Sequence, residues 1–295
     1  MNKKIFFTFS IVILFCVTGI AQDLIGMLGT DSSAQKIFTS AKFKTTRIIN
    51  THTLETLGKR TLDFRISHRF NALNTGSYHA WGLDGPATIR LSLEYSYDGR
   101  LMAGIGRSSQ EKMMDGFLKY RLYRQTDDNK HPLSVTLFAG MYYTAMKDGN
   151  IEVNGFDKYE FLSSRFSYAY EIIAGRKFSS GFSFQVAPFF VHYNLSEKFT
   201  DKNDMYGVAG GVRYKFSKRS ALTAEYAYRI SKNAADTYYD SMGIGYEIET
   251  GGHVFQIHLT NSTGMVESQF FAHTATKWSN AGIRIGFNIS RVFKI

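Results

Sequence analysis

The sequence predicts an all-β protein that folds as a twelve-stranded, antiparallel, transmembrane up-and-down β-barrel, with fourteen strands as the alternative. Three observations predict this fold. Apolar and polar residues alternate along one segment after another, which is the pattern of strands with two different faces. Short and long connections alternate between these segments, as they do in outer-membrane barrels. After the N-terminal segment, no stretch approaches the roughly 20 apolar residues that a membrane helix requires.

Residues 1–21 are predicted to be a cleaved signal peptide. The basic pair Lys3-Lys4 precedes an apolar run that ends at Val17, and the small residue Ala21 stands before the cleavage site. The apolar run is shorter than the roughly 20 residues of a membrane helix, and a retained anchor is the alternative. Cleavage removes the single cysteine of the sequence, so the mature chain is expected to form no disulfide. We therefore expect export to the bacterial outer membrane.

The predicted strands follow one another from residue 60 to the end of the chain. In the first strand the charged residues Asp63 and Arg65 alternate with apolar neighbours, and in the last strand Arg284 does so. This period of two places charged and apolar residues on opposite faces. The predicted strands are 60–70, 86–97, 100–107, 115–124, 132–144, 161–178, 181–193, 204–217, 220–231, 238–249, 252–261 and 281–294.

The lengths of the connections separate a membrane barrel from a soluble sandwich. A sandwich shares the alternation along each strand, but it has no reason to alternate its loop lengths. The short turns are predicted to lie in the periplasm together with both termini; they are 98–99, 125–131, 179–181, 217–219 and 251–252. The longer links are 71–85, 108–114, 145–160, 194–203, 232–237 and 262–280.

The barrel domain is predicted to span residues 60–295, preceded by an N-terminal segment, 22–59. This segment is expected either to lie in the periplasm or to fold into the lumen. Within it, Thr45 to Asn50 has the composition of a strand, although a thirteenth strand would break the even strand number. The link 262–280 is expected to hold a short helix through Val266, Phe270, Phe271 and His273.

The two faces of the strands differ in chemistry. Aromatic residues on the apolar face are predicted to form girdles at the lipid interface; they are Tyr95, Tyr97, Tyr168, Tyr170, Tyr226, Tyr228 and Phe293. The opposite face carries charges that are predicted to form a network in the lumen; they are Asp63, Arg65, Arg90, Glu94, Lys119, Arg121, Glu171, Arg213, Glu225, Arg229, Glu247 and Arg284.

The formal net charge is +10, so the basic residues are expected to contact a negatively charged partner. Nucleic acid is disfavoured because the basic residues are scattered over strands and turns rather than clustered. An anion-favouring lumen or contact with anionic lipid is the better interpretation. The paired charges Asp63/Arg65, Arg90/Glu94 and Glu225/Arg229 are expected to form either a selectivity ring or a structural ladder of cross-strand salt bridges.

Candidate sites for metal binding or catalysis are weak. His253 and His258 lie five residues apart in one strand and point to opposite faces, so they cannot bind one metal ion within it. His258 with Asn261 and Ser262 invites comparison with a Ser-His-Asn hydrolase, but His258 is expected to face the lumen rather than lipid. We predict no enzyme activity, no metal and no cofactor. The pairs Asp115-Gly116 and Gly251-Gly252 are interpreted as turns.

Several short segments of the sequence resemble those of a known family. They are Phe43 to Asn50, Leu62 to Phe70, Gly104 to Ser109, Asp115 to Tyr120, Glu249 to Gln256, Thr260 to Met265 and Gly286 to Phe293. Together they resemble an uncharacterised β-barrel family of Bacteroidota outer membranes, domain-of-unknown-function family 5777. The resemblance implies a barrel and a location, and it implies no activity. Independently, the amphipathic last strand with its near-terminal Phe293 resembles the signal that the barrel-assembly machinery reads.

Three functions are compatible with such a barrel. The first hypothesis is a passive channel or transporter for small, anionic solutes. The second is a non-conducting structural or docking barrel for a periplasmic or surface partner. The third, a lipid-modifying enzyme, is the least favoured because no motif of such an enzyme was found. Fold analogy alone does not choose among them.

Overall fold

Twelve antiparallel strands form a closed barrel in the described part of the chain. The computed structural model describes residues 37–40, 42–147, 152–153, 156–157, 159, 161–196, 202–232 and 237–295. The predicted signal peptide, 1–21, lies outside the described residues, so it stays a prediction. The strands are β1 Thr61–Ala72, β2 Thr88–Ser96, β3 Leu101–Ser108, β4 Met113–Tyr123, β5 Ser134–Thr144, β6 Phe166–Lys177, β7 Phe182–Tyr193, β8 Asp204–Lys215, β9 Ser220–Arg229, β10 Ser241–Thr250, β11 His253–Thr260 and β12 Arg284–Lys294.

Each strand pairs with its neighbours in sequence, and β12 closes the barrel against β1. The closing register runs from Thr61 opposite Lys294 to Arg69 opposite Gly286. Two further strands of two residues, Glu152–Val153 and Phe156–Asp157, pair only with each other and stand outside the barrel. The prediction of twelve strands in an up-and-down barrel is therefore confirmed.

The period of two sorts the side chains as the sequence indicates. Along β1, Asp63 and Arg65 are buried, whereas Leu62 and Phe64 on the other face lie among partly buried and exposed apolar residues of the outer surface. Polar and charged residues thus fill the interior and apolar residues cover the outside, the reverse of a soluble sandwich and the arrangement of a barrel in lipid. Among the described residues, no helix is long and apolar enough to cross a membrane.

The two ends of the barrel differ in their connections. At the short-turn end, the connections are 97–100, 124–133, 178–181, 216–219 and 251–252, and both β1 and β12 have their chain ends there. At the long-loop end, they are 73–87, 109–112, 145–165, 194–203, 230–240 and 261–283. In outer-membrane barrels the short turns face the periplasm.

The prediction that short and long connections alternate was wrong at two places. The connection 124–133 at the short-turn end is as long as 194–203 at the opposite end. The link 109–112 is as short as the turns at the opposite end, because β3 continues to Ser108 and β4 already begins at Met113. Glu111 and Lys112 reverse the chain with positive φ angles of 52° and 49°. Asp115, interpreted as a turn residue, is instead a buried residue within β4. Gly251 and Gly252 do form the turn between β10 and β11.

Residues 42–57, here called the lumen segment, run inside the barrel. The segment is a narrow hairpin whose tip is 48–51: the Ile48 N–H donates to the Thr51 carbonyl at 2.9 Å, and the Thr53 N–H donates to the Thr46 carbonyl at 2.9 Å. The strand suggested for 45–50 is absent, because these residues form one isolated bridge and otherwise bind side chains of the barrel wall. The sequence had left the segment open between periplasm and lumen.

The link 261–283 also turns inward, and its residues 261–277 are here called the inward loop. A single turn of helix, α1 Glu267–Phe270, is buried within it. A short helix in this link was expected, but of the four residues named for it only Phe270 lies within α1. Phe271 stacks on Phe189 of β7 with ring centroids 3.8 Å apart. The buried apolar cluster includes Phe270 and Phe271 of this loop together with Ile48, Ile49 and Leu54 of the lumen segment.

Candidate functional site: the filled lumen

Glycines in the barrel wall leave room for the apolar side chains of the lumen segment. A Cβ atom placed on Gly211 of β8 would lie 1.9 Å from Cδ1 of Ile48. A Cβ on Gly243 of β10 would lie 2.8 Å from Cδ1 of Ile49. Atoms cannot approach this closely, so a side chain at either position would force the isoleucine side chain to shift. The wall and the segment are thus shaped to each other.

The tip of the hairpin is held by one carboxylate, that of Glu225 in β9. It accepts the backbone N–H groups of Ile49, Asn50 and Thr51 at 3.1, 2.9 and 3.0 Å. It also accepts the Thr51 hydroxyl at 2.8 Å. Consecutive N–H groups that converge on one anion form a nest, and hydrogen bonds to a charged acceptor are stronger than neutral ones. These hydrogen bonds compensate the buried Glu225 carboxylate.

Amide side chains of the wall bind the backbone of the lumen segment. Gln185 of β7 accepts the Leu54 N–H at 3.0 Å and donates to the His52 carbonyl at 2.7 Å. Gln256 of β11 donates to the Ile48 carbonyl at 2.6 Å. Buried backbone groups need partners, and here side chains replace the neighbouring strand that would normally supply them.

Three of the predicted lumen charges bind the limbs of the hairpin. Glu94 accepts the Thr46 hydroxyl at 2.6 Å. Lys119 donates to the Glu55 carbonyl at 2.7 Å, and Arg121 pairs with the Glu55 carboxylate at 3.2 Å. These charged groups therefore face the lumen segment rather than an open solvent path.

All twelve predicted lumen residues are buried, but the pairs differ from those expected within single strands. Arg90 pairs with Asp115 at 2.5 Å and 2.9 Å, reaching over β3 from β2 to β4. Gly106 of β3 makes this possible, because a Cβ there would lie 2.5 Å from Nη2 of Arg90. Arg213 binds Glu247 at 2.9 Å. Cross-strand pairs of this kind resemble the structural ladder more than a ring.

The remaining predicted charges have varied surroundings. Asp63 accepts the Ser290 hydroxyl at 2.7 Å, and Arg229 pairs with Asp240 at 3.7 Å. Arg284 donates to the Asn261 carbonyl at 3.1 Å. Within the described chain, neither oxygen of the buried Glu171 side chain has a hydrogen-bond partner, and the same holds for Nε and Nη1 of Arg65.

Glu267 of the inward loop contacts the lumen segment directly. Its Oε1 lies 2.8 Å from Nη1 of Arg47 and 3.5 Å from Nε2 of His52. Its Oε2 accepts the hydroxyl of Tyr142 in β5 at 2.7 Å. None of these four side chains is more than 2% exposed. The two inserted segments thus meet in the interior and share one buried carboxylate.

The side chains of the predicted girdle residues all lie on the outer face of the barrel, and they form one group near each end. Tyr95 and Phe293 both lie opposite Leu62, close to the short-turn end, and Tyr97 follows β2 there. Tyr168, Tyr170, Tyr226 and Tyr228 lie in the halves of their strands nearer the long-loop end. Two separated aromatic levels are what a bilayer with two interfaces would contact.

The hydrolase comparison finds no geometric support. His258 is buried in the lumen and neither ring nitrogen has a partner in the described chain. The Ser262 hydroxyl donates to the Gly264 carbonyl at 3.1 Å. Asn261 binds backbone groups of β10 and of the inward loop. No group of three potential metal-binding residues was found among the described residues.

Sequence reasoning missed several residues that line or fill the lumen. Arg47 and Glu267 lie in segments whose place in the fold was undecided, and Asp115 was assigned to a turn. Gln185 and Gln256 carried an available signal, since they occupy inward positions of strands where uncharged amides can bind a peptide backbone. Gly211 and Gly243 carried another, because glycine at an inward strand position indicates a close approach of other backbone.

A family model described as a membrane bound beta barrel domain (DUF5777) matches residues 43–293. The chain belongs to this family. It is therefore a membrane-bound β-barrel protein, and the match begins within the lumen segment rather than at β1. The source in Bacteroidota stays a prediction. No curated protein matches the chain significantly.

Solved outer-membrane barrels are similar to this DUF5777 protein in fold. The NanC porin is 8% identical, with 79% of this chain and 100% of that chain covered and a TM-score of 0.49. An outer membrane channel from Pseudomonas putida F1 is 14% identical, with 81% and 98% covered and a TM-score of 0.47. The outer membrane phospholipase A from Escherichia coli is 11% identical, with 78% and 92% covered and a TM-score of 0.45. Identities this low transfer no substrate and no activity.

Proposed function

We propose that this DUF5777 protein is a closed, non-conducting outer-membrane barrel whose lumen holds its own N-terminal segment. The observation that carries the proposal is the lumen segment itself. From Thr45 to Leu54 every residue is buried, and wall residues on β2, β4, β7, β9 and β11 bind it. In this role the barrel wall is a receptor for a peptide segment, and the segment emerges at the short-turn end, where a periplasmic partner has access to it.

The proposal corresponds to the docking barrel and not to the passive channel. An open path for small anionic solutes would require the lumen segment and the inward loop to leave. Their departure would leave the Glu225 carboxylate without the three N–H groups that it binds and would strip Lys119 of its carbonyl partner. Such groups must then be hydrated, because an unpaired charge in a dry wall is strongly unfavourable.

A gated channel is the second candidate, and a cavity at the short-turn end favours it. The cavity measures about 620 Å³ and is lined by Lys44, Thr45, Asp63, Glu249 and Ser290 among others. It lies between the first limb of the lumen segment and the wall, so a solute path could begin there if the segment moved.

Planar-bilayer conductance separates the two candidates. We expect the refolded mature protein, shown to be folded by its heat-modifiable migration on a gel, to give no conductance steps. The control is a disulfide lock, Ile48→Cys with Gly211→Cys. A Cβ on Gly211 lies 3.4 Å from Cγ1 of Ile48, the position that a cysteine sulfur would occupy. The natural mature chain supplies no competing thiol if the predicted cleavage occurs.

The outcomes are distinct. Silence in wild type and in the oxidised and reduced lock supports the closed barrel. Ohmic steps from wild type contradict it. Steps that vanish in the oxidised lock and return on reduction would establish the gated channel, and Arg213→Glu should then weaken any preference for anions.

A further inference from the structure

The lumen segment and the inward loop enter the barrel from opposite ends. The lumen segment is tied to the short-turn end, where the Thr56 hydroxyl donates to the Gly99 carbonyl at 2.7 Å. Just before the segment, the Ser40 carbonyl accepts a hydrogen bond from Lys177 at 3.0 Å. The inward loop is tied to the long-loop end, where Gln269 donates to the Gln110 carbonyl at 3.3 Å. Among the described residues, each inserted segment is thus bonded to the loops at its own end of the barrel.

Their contact is concentrated at Glu267. Arg47 uses one nitrogen, Nη1, to bind both the Glu267 carboxylate at 2.8 Å and the Asn50 carbonyl at 2.8 Å. The same arginine therefore holds the tip of the hairpin and the inward loop together. Because Arg47 and Glu267 are 2% and 1% exposed, separating them would leave two charges without compensation, which is strongly unfavourable in a buried site.

The position of Glu267 depends on the long-loop end. The helix α1 that carries it is followed by Phe271, which stacks on Phe189. The hydroxyl of Tyr193, at the end of β7, donates to the Ser268 carbonyl. A change that moves the outer end of β7 or the link containing Gln110 would consequently move Glu267.

We propose that Glu267 makes the barrel a relay across the outer membrane, in which displacement of the inward loop on the outer side loosens the lumen segment on the periplasmic side. The relay rests on the proposed function, since it requires the lumen segment to be seated in a closed barrel. The periplasmic signal is the exposure of residues 42–57. On exposure these residues leave their binding surface on the barrel wall, which includes Glu225, Gln185 and Gln256.

The test measures how fast a cysteine in the lumen segment reacts with a polar maleimide in the folded, detergent-solubilised protein. Thr53→Cys places the reporter at a fully buried position. Glu267→Gln removes the charge that Arg47 binds, and we expect the reaction to accelerate at least tenfold. Asp115→Asn is the matched control, because it neutralises another buried carboxylate paired with an arginine, one that binds Arg90 on the wall. This control should leave the rate within twofold of the starting protein.

Two further variants keep the test decisive. Tyr142→Phe removes the second partner of Glu267 but leaves Arg47 in place, so its effect should be smaller than that of Glu267→Gln. The exchange Arg47→Glu with Glu267→Arg should restore protection relative to either single change. An unchanged rate in a folded Glu267→Gln variant overturns the relay, as does an equal acceleration in Asp115→Asn. Conductance recorded on the same starting protein tests the closed barrel separately. If the protein conducts no current and Glu267→Gln leaves the slow maleimide reaction unchanged, the relay is refuted but the closed barrel is not.

Discussion

The fit between Gly211 and Ile48 makes a quantitative prediction about the seating of the lumen segment. A Cβ at position 211 would lie 1.9 Å from Cδ1 of Ile48 but 3.4 Å from its Cγ1. Gly211→Ala should therefore force Ile48 out of place, at an overpacking cost of about 1–3 kcal/mol. Ile48→Val deletes only Cδ1, so the new methyl group then meets Cγ1 at an ordinary contact distance. Alone, Ile48→Val should cost about 0.5–1.5 kcal/mol.

The double variant Gly211→Ala with Ile48→Val should consequently be no less stable than Ile48→Val alone. The coupling is expected to be about 1–3 kcal/mol, which corresponds to roughly 5- to 150-fold in the opening equilibrium of the segment. Hydrogen exchange of the backbone amides at 48–53 measures it, since local opening determines exchange. Gly210→Ala is the control, because a Cβ added at Gly210 would meet no atom closer than 3.9 Å.

Two results would refute this reasoning. The first is equal exchange in Gly211→Ala and Gly210→Ala, which would mean that Ile48 does not occupy the space beside Gly211. The second is a double variant that is as exposed as Gly211→Ala, which would mean that the steric conflict involves other atoms.

Three other predictions follow from side chains of the wall and turns. Glu225→Gln should weaken the seating of the hairpin tip by about 1–3 kcal/mol, because a neutral amide offers one acceptor oxygen where the carboxylate offers two; exchange at Asn50 measures it, and unchanged protection would contradict it. Arg90→Ala should lower the free energy of unfolding, measured in urea, by about 3–5 kcal/mol, because it leaves the Asp115 charge uncompensated. Adding Asp115→Ala to this variant should recover part of the loss. No recovery would mean that the two charges do not interact. Hydrogen bonds from the N–H groups of Leu101 and Arg100 hold the pKa of the Asp98 carboxyl below its usual range. As the pH falls, this carboxyl should therefore become protonated at a lower pH than an ordinary aspartate does. An ordinary pKa in a carbon-13 titration would show that the turn is not formed.

The sequence by itself determined the barrel and the sorting of its faces. The alternation around Asp63 and Arg65 requires only that neighbouring residues of a strand point to opposite sides, and this is a local property. The number of strands followed from counting such segments, and the turn at Gly251-Gly252 followed from residue type. Asp115 and the link 109–112 were misassigned because Asp-Gly is equally typical of a turn, although the period of two places Asp115 on the same inner face as Lys119.

Only the tertiary structure decided what fills the barrel. Arg47 and Glu267 are 220 residues apart in sequence, and Asn50 and Glu225 are 175 apart, so no periodicity connects them. The lumen segment lacks a strand ladder, and its backbone is satisfied by single side chains from strands all around the wall. Which side chains can reach it depends on the curvature and register of the closed barrel, which arise only when β12 pairs with β1.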